Sequence, residues 1–398
     1  VSRYRLYPTP EQEECLLRHC SHARFVWNLA VEQLSWWRPG RKSAPGLLEQ
    51  SRQLTAARAD NPWLAEGSST VQQNALHDFA QAMRFFFGGT HRHPTWRKAG
   101  RNEGFRITGA RGGEHATWNV RRLNRNWGEV HIPKVGWVRF RWSRSVPAEA
   151  RSYRVTRDRA GLWHVAFAVV PEPVDGPGTG NMVGIDRGVA VSAALSTGEL
   201  LVVPGLRATE ERRLVRLRRK VARAKRGSVR RYKAGLAVAR MCAREAARRR
   251  DWVEKVSTDI ARRFDVIRIE DLDIKSMTRS AKGTADLPGH GVRQKAGLNR
   301  EISRSGWGLL ARRLEDKAPG RVEKVNPAFT SQRCSACGHV DAKSRESQAR
   351  FACTACNFTL NADVNAARNI AAGHAVNARG GDRAAGPVNR EPRLALNA

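Results

Sequence analysis

Two cysteine pairs, Cys334-Ser-Ala-Cys337 and Cys353-Thr-Ala-Cys356, stand 15 residues apart. That is the spacing of a four-cysteine zinc site. A rubredoxin-like iron site and disulfides are the alternatives, and disulfides suit a reducing compartment poorly. Four thiolates leave no open coordination position, so zinc here would be structural. Asn361-Ala362-Asp363-Val364-Asn365 follows at once. Aspartate is a poor ligand in such a zinc site but a good one for Mg²⁺. The segment therefore demands a small metal-stapled hairpin and raises the question of a second metal with a chemical role.

Charge narrows the partner. Lys plus Arg number 71 against 37 for Asp plus Glu, a formal charge of +34 over 398 residues. Few enzymes of small metabolites carry such an excess, and a polyanion is the fitting partner. Nucleic acid fits better than a membrane surface, because no apolar run approaches the ~20 residues of a span. The three remaining cysteines, Cys15, Cys20 and Cys242, fall in helical patterns and read as buried free thiols. With no signal peptide in view, the expected location is the cytoplasm, with action at the nucleoid.

Periodicity divides the chain. Residues 2–7 alternate as a short strand, Thr9 can cap a helix, and Pro10 suits its first position. Leu16, Cys20, Ala23, Trp27, Ala30 and Leu34 then recur at helical spacing until Pro39-Gly40. Further helical patterns cover Leu47 to Ala59 and Val71 to Phe87. From about residue 104 the period becomes two, through Phe105–Ile107, Val130–Ile132, Val135–Trp142, Tyr153–Val155 and Leu162–Val169. This predicts a small antiparallel barrel or sandwich that takes residues 2–7 as a partner, with the helices inserted. Aromatics interleave with cations here, as at Lys134, Arg139 and Arg141. That pattern suits base stacking and phosphate contact as well as ordinary strand amphipathicity.

Beyond a Pro/Gly linker at 171–180, strands are predicted at Met182–Asp186, Val189–Leu195 and Leu200–Val203. The stretch Arg207 to Arg263 reads as basic helix divided at Gly227-Ser228. Its first part, Arg207 to Arg250, holds 18 Lys/Arg against three Glu, which favours a nucleic-acid track. A strand at Phe264–Glu270, a mobile loop at Ser276 to Asn299, a helix at Leu298 to Lys317 and a strand at Arg321–Val325 follow. After the cysteines come a helix at Ala362 to Ala372 and a Gly/Ala/Arg/Pro-rich tail expected to be disordered.

Three meandering strands, then parallel strands through helical crossovers, describe an RNase H-like fold. In such sheets functional groups gather at the carboxyl ends of parallel strands. Asp186 and Glu270 each end a strand, and Asp363 opens the last helix. Three converging carboxylates need cations, and two Mg²⁺ about 4 Å apart would neutralise them. One would activate a water for in-line attack on phosphorus and the other would stabilise the leaving 3′-oxygen, giving 5′-phosphate and 3′-hydroxyl ends. Asp271 and Asp273 are weaker candidates, because Asp271 points to the opposite face of the strand from Glu270. Arg187 is placed to meet a phosphate or to pair with an acid. His339 is surplus to the cysteine site, and His91 and His93 form no ligand set.

Val183-Gly-Ile-Asp186-Arg-Gly, Ile269-Glu270-Asp-Leu, Thr330-Ser-Gln-Arg-Cys334-Ser-Ala-Cys337-Gly and Asn361-Ala-Asp363-Val-Asn-Ala-Ala-Arg-Asn resemble the TnpB family, transposon-encoded ancestors of type V CRISPR effectors. Arg5-Leu-Tyr-Pro-Thr-Pro-Glu-Gln, Arg24-Phe-Val-Trp-Asn28, Ile132-Pro-Lys-Val-Gly136 and Trp307-Gly-Leu-Leu extend the resemblance over about 1–375. The resemblance implies a multidomain α+β protein. It would comprise a β-barrel wedge domain (1–10 and 100–175), a helical recognition domain (11–99), a RuvC-like nuclease domain (176–328 and 361–373), a zinc ribbon (329–360) and a tail (374–398). It implies an RNA-guided DNA endonuclease of a transposable element, with Asp186, Glu270 and Asp363 as the catalytic triad holding Mg²⁺. Cys334, Cys337, Cys353 and Cys356 would hold Zn²⁺. The implied partners are a guide non-coding RNA from the transposon end and double-stranded DNA beside a short flanking motif, bound by a monomeric protein. The competing readings are a nuclease-inactive guided repressor and an unguided zinc-ribbon DNA-binding accessory of transposition. The closeness of the cysteines to Asp363 suggests that the ribbon delivers or admits the DNA strand to the carboxylates.

Overall fold

A computed structural model describes residues 2–35, 44–109, 118–170, 172–284 and 286–373. The helix stop expected at Pro39-Gly40 and the tail at 374–398 lie outside the described residues. The chain forms two compact units. One holds Val1–Val170 and Leu214–Arg240, and the other holds Pro171–Arg213 and the chain from Met241 onward.

In the first unit β1 (Ser2–Tyr7) leads into α1 (Pro10–Ser35). Thr9 and Gln12 cap that helix reciprocally. The Gln12 amide donates to Thr9 Oγ1 at 3.3 Å, and the Thr9 amide donates to Gln12 Oε1 at 3.1 Å. Next come α2 (Leu47–Asp60), α3 (Pro62–Glu66), α4 (Ser69–Phe87), β2 (Gly104–Thr108), β3 (Val120–Arg122), β4 (Trp127–Ile132), β5 (Gly136–Arg141), β6 (Ser152–Arg157) and β7 (Trp163–Phe167). The strands make one antiparallel sheet in the order β2-β6-β7-β1-β5-β4-β3. β1 pairs with β7 through Ser2–Arg5 and with β5 through Leu6–Tyr7, so it joins the two halves.

The sheet curls on itself. The Tyr153 hydroxyl on β6 donates to the His131 carbonyl on β4 at 3.1 Å, although three strands lie between them in the order. Among the described residues the hydrogen-bonded order runs from β2 to β3. Tyr4, Phe140 and Phe167 meet edge to face inside it. Leu16, Val26, Leu76 and Phe79 of the helices belong to the same core.

The second unit starts with β8 (Met182–Asp186), β9 (Ala193–Leu195) and β10 (Leu200–Leu201). The basic stretch follows as α5 (Ala208–Arg223) and α6 (Val229–Arg263), which supply residues to both units. Then come β11 (Val266–Glu270), α7 (Ile274–Met277), α8 (Val292–Ser305), α9 (Trp307–Lys317), β12 (Val322–Val325), β13 (Arg350–Ala352), β14 (Thr359–Asn361) and α10 (Ala362–Ala372). The main sheet runs β10-β9-β8-β11-β12. Its first three strands are antiparallel, and β11 is parallel to both β8 and β12. Val183, Ile185, Ile267 and Ile269 of the sheet pack with Val253 and Ile260 of α6 and Leu310 and Leu314 of α9.

Several expectations are corrected. The loop expected over Ser276 to Asn299 contains α8 from Val292, and the single helix expected to Lys317 breaks at Gly306, whose φ is +75°. Of the three thiols expected to be buried, Cys20 is, Cys15 is half-buried and Cys242 is exposed. Residues 172–180 form no helix or strand, and the Asp265 carboxylate accepts from the amides of Gly178, Thr179 and Gly180 at 2.7–3.0 Å. No helix among the described residues is long and apolar enough to cross a membrane.

Alanine-rich α10 lies directly on β8. A Cβ on Gly184 would stand 2.1 Å from the Ala367 carbonyl oxygen and 2.3 Å from the Ala371 nitrogen. Both are backbone atoms that cannot step aside. Gly184→Ala is therefore expected to lift α10 from the sheet at a cost of about 1–3 kcal/mol. A lowered denaturation midpoint, read by urea titration of the metal-free protein, checks this.

Candidate active site and metal centre

Parallel pairing sets the first two acids. Ile185 of β8 faces Ile269 of β11, so Asp186 and Glu270 are the next residues at the same strand ends. Asp363 arrives from α10. Its helix is started by Asn361, whose side chain accepts from the amides of Asp363 and Val364 at 3.0 and 3.2 Å. Packing of α10 on β8 brings that first turn to the sheet edge. Asp186, Glu270 and Asp363 line one cavity of about 370 Å³, together with Arg187, Thr330 and Arg345.

The electrostatics are those of acids held without enough counter-charge. Burial pushes the Asp186 carboxyl well above the usual range, Glu270 and Asp363 push it further, and Arg345 opposes them. Burial also raises Glu270, against the Thr330 hydrogen bond and the charges of Arg187 and Arg345. Asp363 is raised by burial and pulled back by Arg345. The direct contacts are a Thr330 hydroxyl donating to Glu270 Oε1 at 2.8 Å and an Arg345 guanidinium donating to Asp363 Oδ1 at 3.2 Å. Arg187 is buried and donates to the backbone carbonyl of Glu270.

Oxygen donors of this kind fit a hard divalent cation. The four cysteines form a closer set, their ligand atoms all lying within 4.8 Å of one another.

Asp271 is exposed. Asp273 caps α7, accepting from the Ser276 amide at 3.0 Å and its hydroxyl at 2.6 Å. His91 stacks on Phe85, and His93 meets Phe86 edge to face. Sequence reasoning did not single out Thr330 or Arg345. Thr330 opens the Thr330-Ser-Gln-Arg-Cys334 motif, but nothing near Arg345 in the sequence points across 18 residues to Asp363.

The cysteine cluster is built from two like turns. Gly338 and Asn357, each following the second cysteine of a pair, have φ of 80° and 59°. Gly338 donates back to the Cys334 carbonyl and Asn357 to that of Cys353, at 2.9 and 3.0 Å. Sγ separations are 3.8 Å for Cys334–Cys356 and 3.6 Å for Cys337–Cys353. A tetrahedron with Zn–S bonds of about 2.3 Å has edges of about 3.8 Å, so the four residues fit zinc. Burial opposes ionisation of Cys353, yet hydrogen bonds from the Cys356 and Ala355 backbone and the neighbouring thiols bring it to about 6. His339 is exposed and contributes only its carbonyl, to the Cys334 amide.

Two buried asparagines of α10 fasten this hairpin module to the sheet domain. Asn365 accepts from the Ser335 amide at 2.9 Å and donates to the Arg333 carbonyl at 2.7 Å. Asn369 donates to the carbonyls of Thr330 and Arg333 at 2.9 and 2.7 Å.

Comparison with known proteins places the chain. Residues 307–370 match the Cas12f1-like TNB domain, 164–281 a family described as a probable transposase, and 2–42 its helix-turn-helix domain. A solved complex of Cas12f1 with sgRNA and target DNA matches 91% of this chain and 82% of its own at TM-score 0.55 and 15% identity, a likeness of fold alone. A protein of Streptomyces pristinaespiralis named a putative RNA-guided DNA endonuclease is 32% identical over 95% of this chain and 90% of its own length. The putative RNA-guided DNA endonuclease InsQ of Escherichia coli K12 is 34% identical over 100% of this chain and 98% of its own. With that end-to-end match and the carboxylates and cysteines in place, the chain belongs to the TnpB family.

Proposed function

We propose that this protein is an RNA-guided DNA endonuclease of a transposable element. It would cut DNA beside a short flanking motif with two Mg²⁺ held by Asp186, Glu270 and Asp363. The observation that carries the reading is that three acids from distant segments line one cavity at the carboxyl edge of a sheet ordered β10-β9-β8-β11-β12. That order, three antiparallel strands followed by two parallel ones, supports an RNase H-like, RuvC-type nuclease domain. The curled sheet would be the wedge, the inserted helices the recognition part, and the cysteine module the ribbon. The basic helices, with 18 Lys/Arg between Arg207 and Arg250, supply charge for nucleic-acid phosphates.

The chain's own residues prepare the site. Burial keeps the carboxylates short of hydration, so they favour a divalent cation over water. Thr330 fixes one oxygen of Glu270 and orients the other. Arg187 ties down the backbone at the end of β11, and Arg345 brings ribbon charge to Asp363. Bound Mg²⁺ supplies activation of water and stabilisation of the leaving oxygen. Guide pairing supplies the sequence choice, and the protein need read only the flanking motif.

The protein co-expressed with its flanking DNA should retain RNA and linearise a matched plasmid behind a randomised flanking motif in Mg²⁺, but not in EDTA. Asp186→Ala should lower cleavage by roughly 10³-fold while RNA stays bound. RNA-loaded wild-type protein that never cuts would favour a guided repressor, and protein that binds DNA without any RNA would overturn the proposal.

The raised carboxyls set a pH dependence. The folded protein holds protons that the unfolded chain has released, so metal-free stability falls as pH rises from about 4 through the raised values. Thermal melts in EDTA should show that decline. Mg²⁺ should abolish it, and Asp186→Asn should flatten it.

Metal analysis should give one zinc per chain. Stripping zinc, or Cys337→Ser, should abolish cleavage with the sheet domain still folded by circular dichroism. Unchanged cleavage would refute a role for the ribbon in admitting DNA.

A further inference from the structure

The outer face of the curled sheet carries a feature that the nuclease reading does not use. Four residues line up across four strands. Arg121 of β3 faces Glu129 of β4, Glu129 faces Arg139 of β5, and Arg139 faces Tyr7 of β1. Trp127 lies two residues before Glu129 on the same face, and Trp137 two residues before Arg139. The core-facing neighbours Val130, Val138 and Phe140 are fully buried. A sheet with one wet face places polar residues outward, yet here Tyr7 is 46% exposed and both indoles are half-buried.

These rings, Glu129 and Arg139 line a pocket of about 500 Å³. The rings are held in place. Tyr7 meets Trp127 edge to face at 5.1 Å, the Arg121 guanidinium lies 4.3 Å from the Trp137 ring centroid, and that of Arg141 lies 5.3 Å from Trp127. Glu129 is 8% exposed, and its two oxygens are used unequally. Oε2 accepts from Arg121 at 2.7 and 2.9 Å, whereas Oε1 has only Arg139 at 3.5 Å.

We infer that this pocket takes one unpaired guanine of the guide RNA, stacked on the indoles, with its adjacent N1–H and N2–H both donated to Glu129 Oε1, the oxygen that Arg121 leaves under-used. The choice follows from chemistry. Aromatic platforms bind any base by its π face. A carboxylate accepts only, and among the bases guanine alone offers two adjacent donors to it. Arg121, Arg139 and Arg141 are exposed around the pocket and complement backbone phosphates. RNA is the fitting source, because its loops present splayed bases whereas the bases of a DNA duplex are paired. The inference rests on the guide-RNA reading above.

Kethoxal, which modifies N1 and N2 of unpaired guanines, tests it on the intact protein–RNA complex. One unpaired guanine should be protected in the wild type and become reactive in Glu129→Gln and Trp137→Ala. Trp137→Phe should restore protection, and Trp137→Ala should weaken RNA binding by about 10- to 100-fold. Ultraviolet crosslinking should join that nucleotide to the peptide holding Trp127 to Trp137. RNA that stays bound with no guanine changing reactivity in any variant would overturn the inference and leave the nuclease proposal standing. Protein that holds no RNA would overturn both.

Discussion

The contact of α10 with β8 is the constraint on which the site depends. Gly184 lets a helix backbone rest on a strand backbone, at a distance that any side chain would forbid. Because α10 is that close, its first turn reaches the edge where β8 and β11 end, and Asp363 joins Asp186 and Glu270. The small buried face of Ala366, Ala367 and Ile370 serves the same end. Two residues beyond Gly184 the strand presents Asp186, so one short motif supplies both the clearance and the acid.

Convergence has an electrostatic cost that the protein meets only in part. Burial raises all three carboxyls above their ordinary range, and Glu270 and Asp363 push Asp186 further. Thr330 and Arg345 reduce that strain without removing it. On the proposed reading, a divalent cation would offset that cost, and the site would be more stable filled than empty. Complete pairing of the acids by arginines would have given a more stable and less reactive edge.

Much of this was legible in the chain. Asp186, Glu270 and Asp363 could be placed because each follows or opens an element with a clear period. The cysteine spacing is a local signal with few alternatives. Convergence also needs β8 and β11 to be neighbours, and the pairing register supplies that. Arg345 was illegible for a physical reason. Its partner is set by how the ribbon folds back, and no periodicity encodes a long-range ion pair. The loop expected before Asn299 failed similarly. Gly and Ser weaken helix propensity, yet Gly291 with φ of +61° begins α8 one residue later. Cys242 sits on a helix, and a helical pattern alone does not say which face meets solvent.

The ribbon belongs to the acid site more closely than its sequence position suggests. Asn369 and Asn365 bind the Thr330–Ser335 segment to α10, the helix that carries Asp363. From that segment Thr330 reaches Glu270, and from the loop between the cysteine pairs Arg345 reaches Asp363. Two of the three acids are therefore oriented by residues whose own positions depend on the cysteine cluster. On the proposed reading, a structural metal placed there would set the geometry of the carboxylate site without sharing a ligand with it. That coupling also explains why the asparagines of α10 are buried: each satisfies backbone groups of the ribbon that would otherwise face a dry interface unpaired.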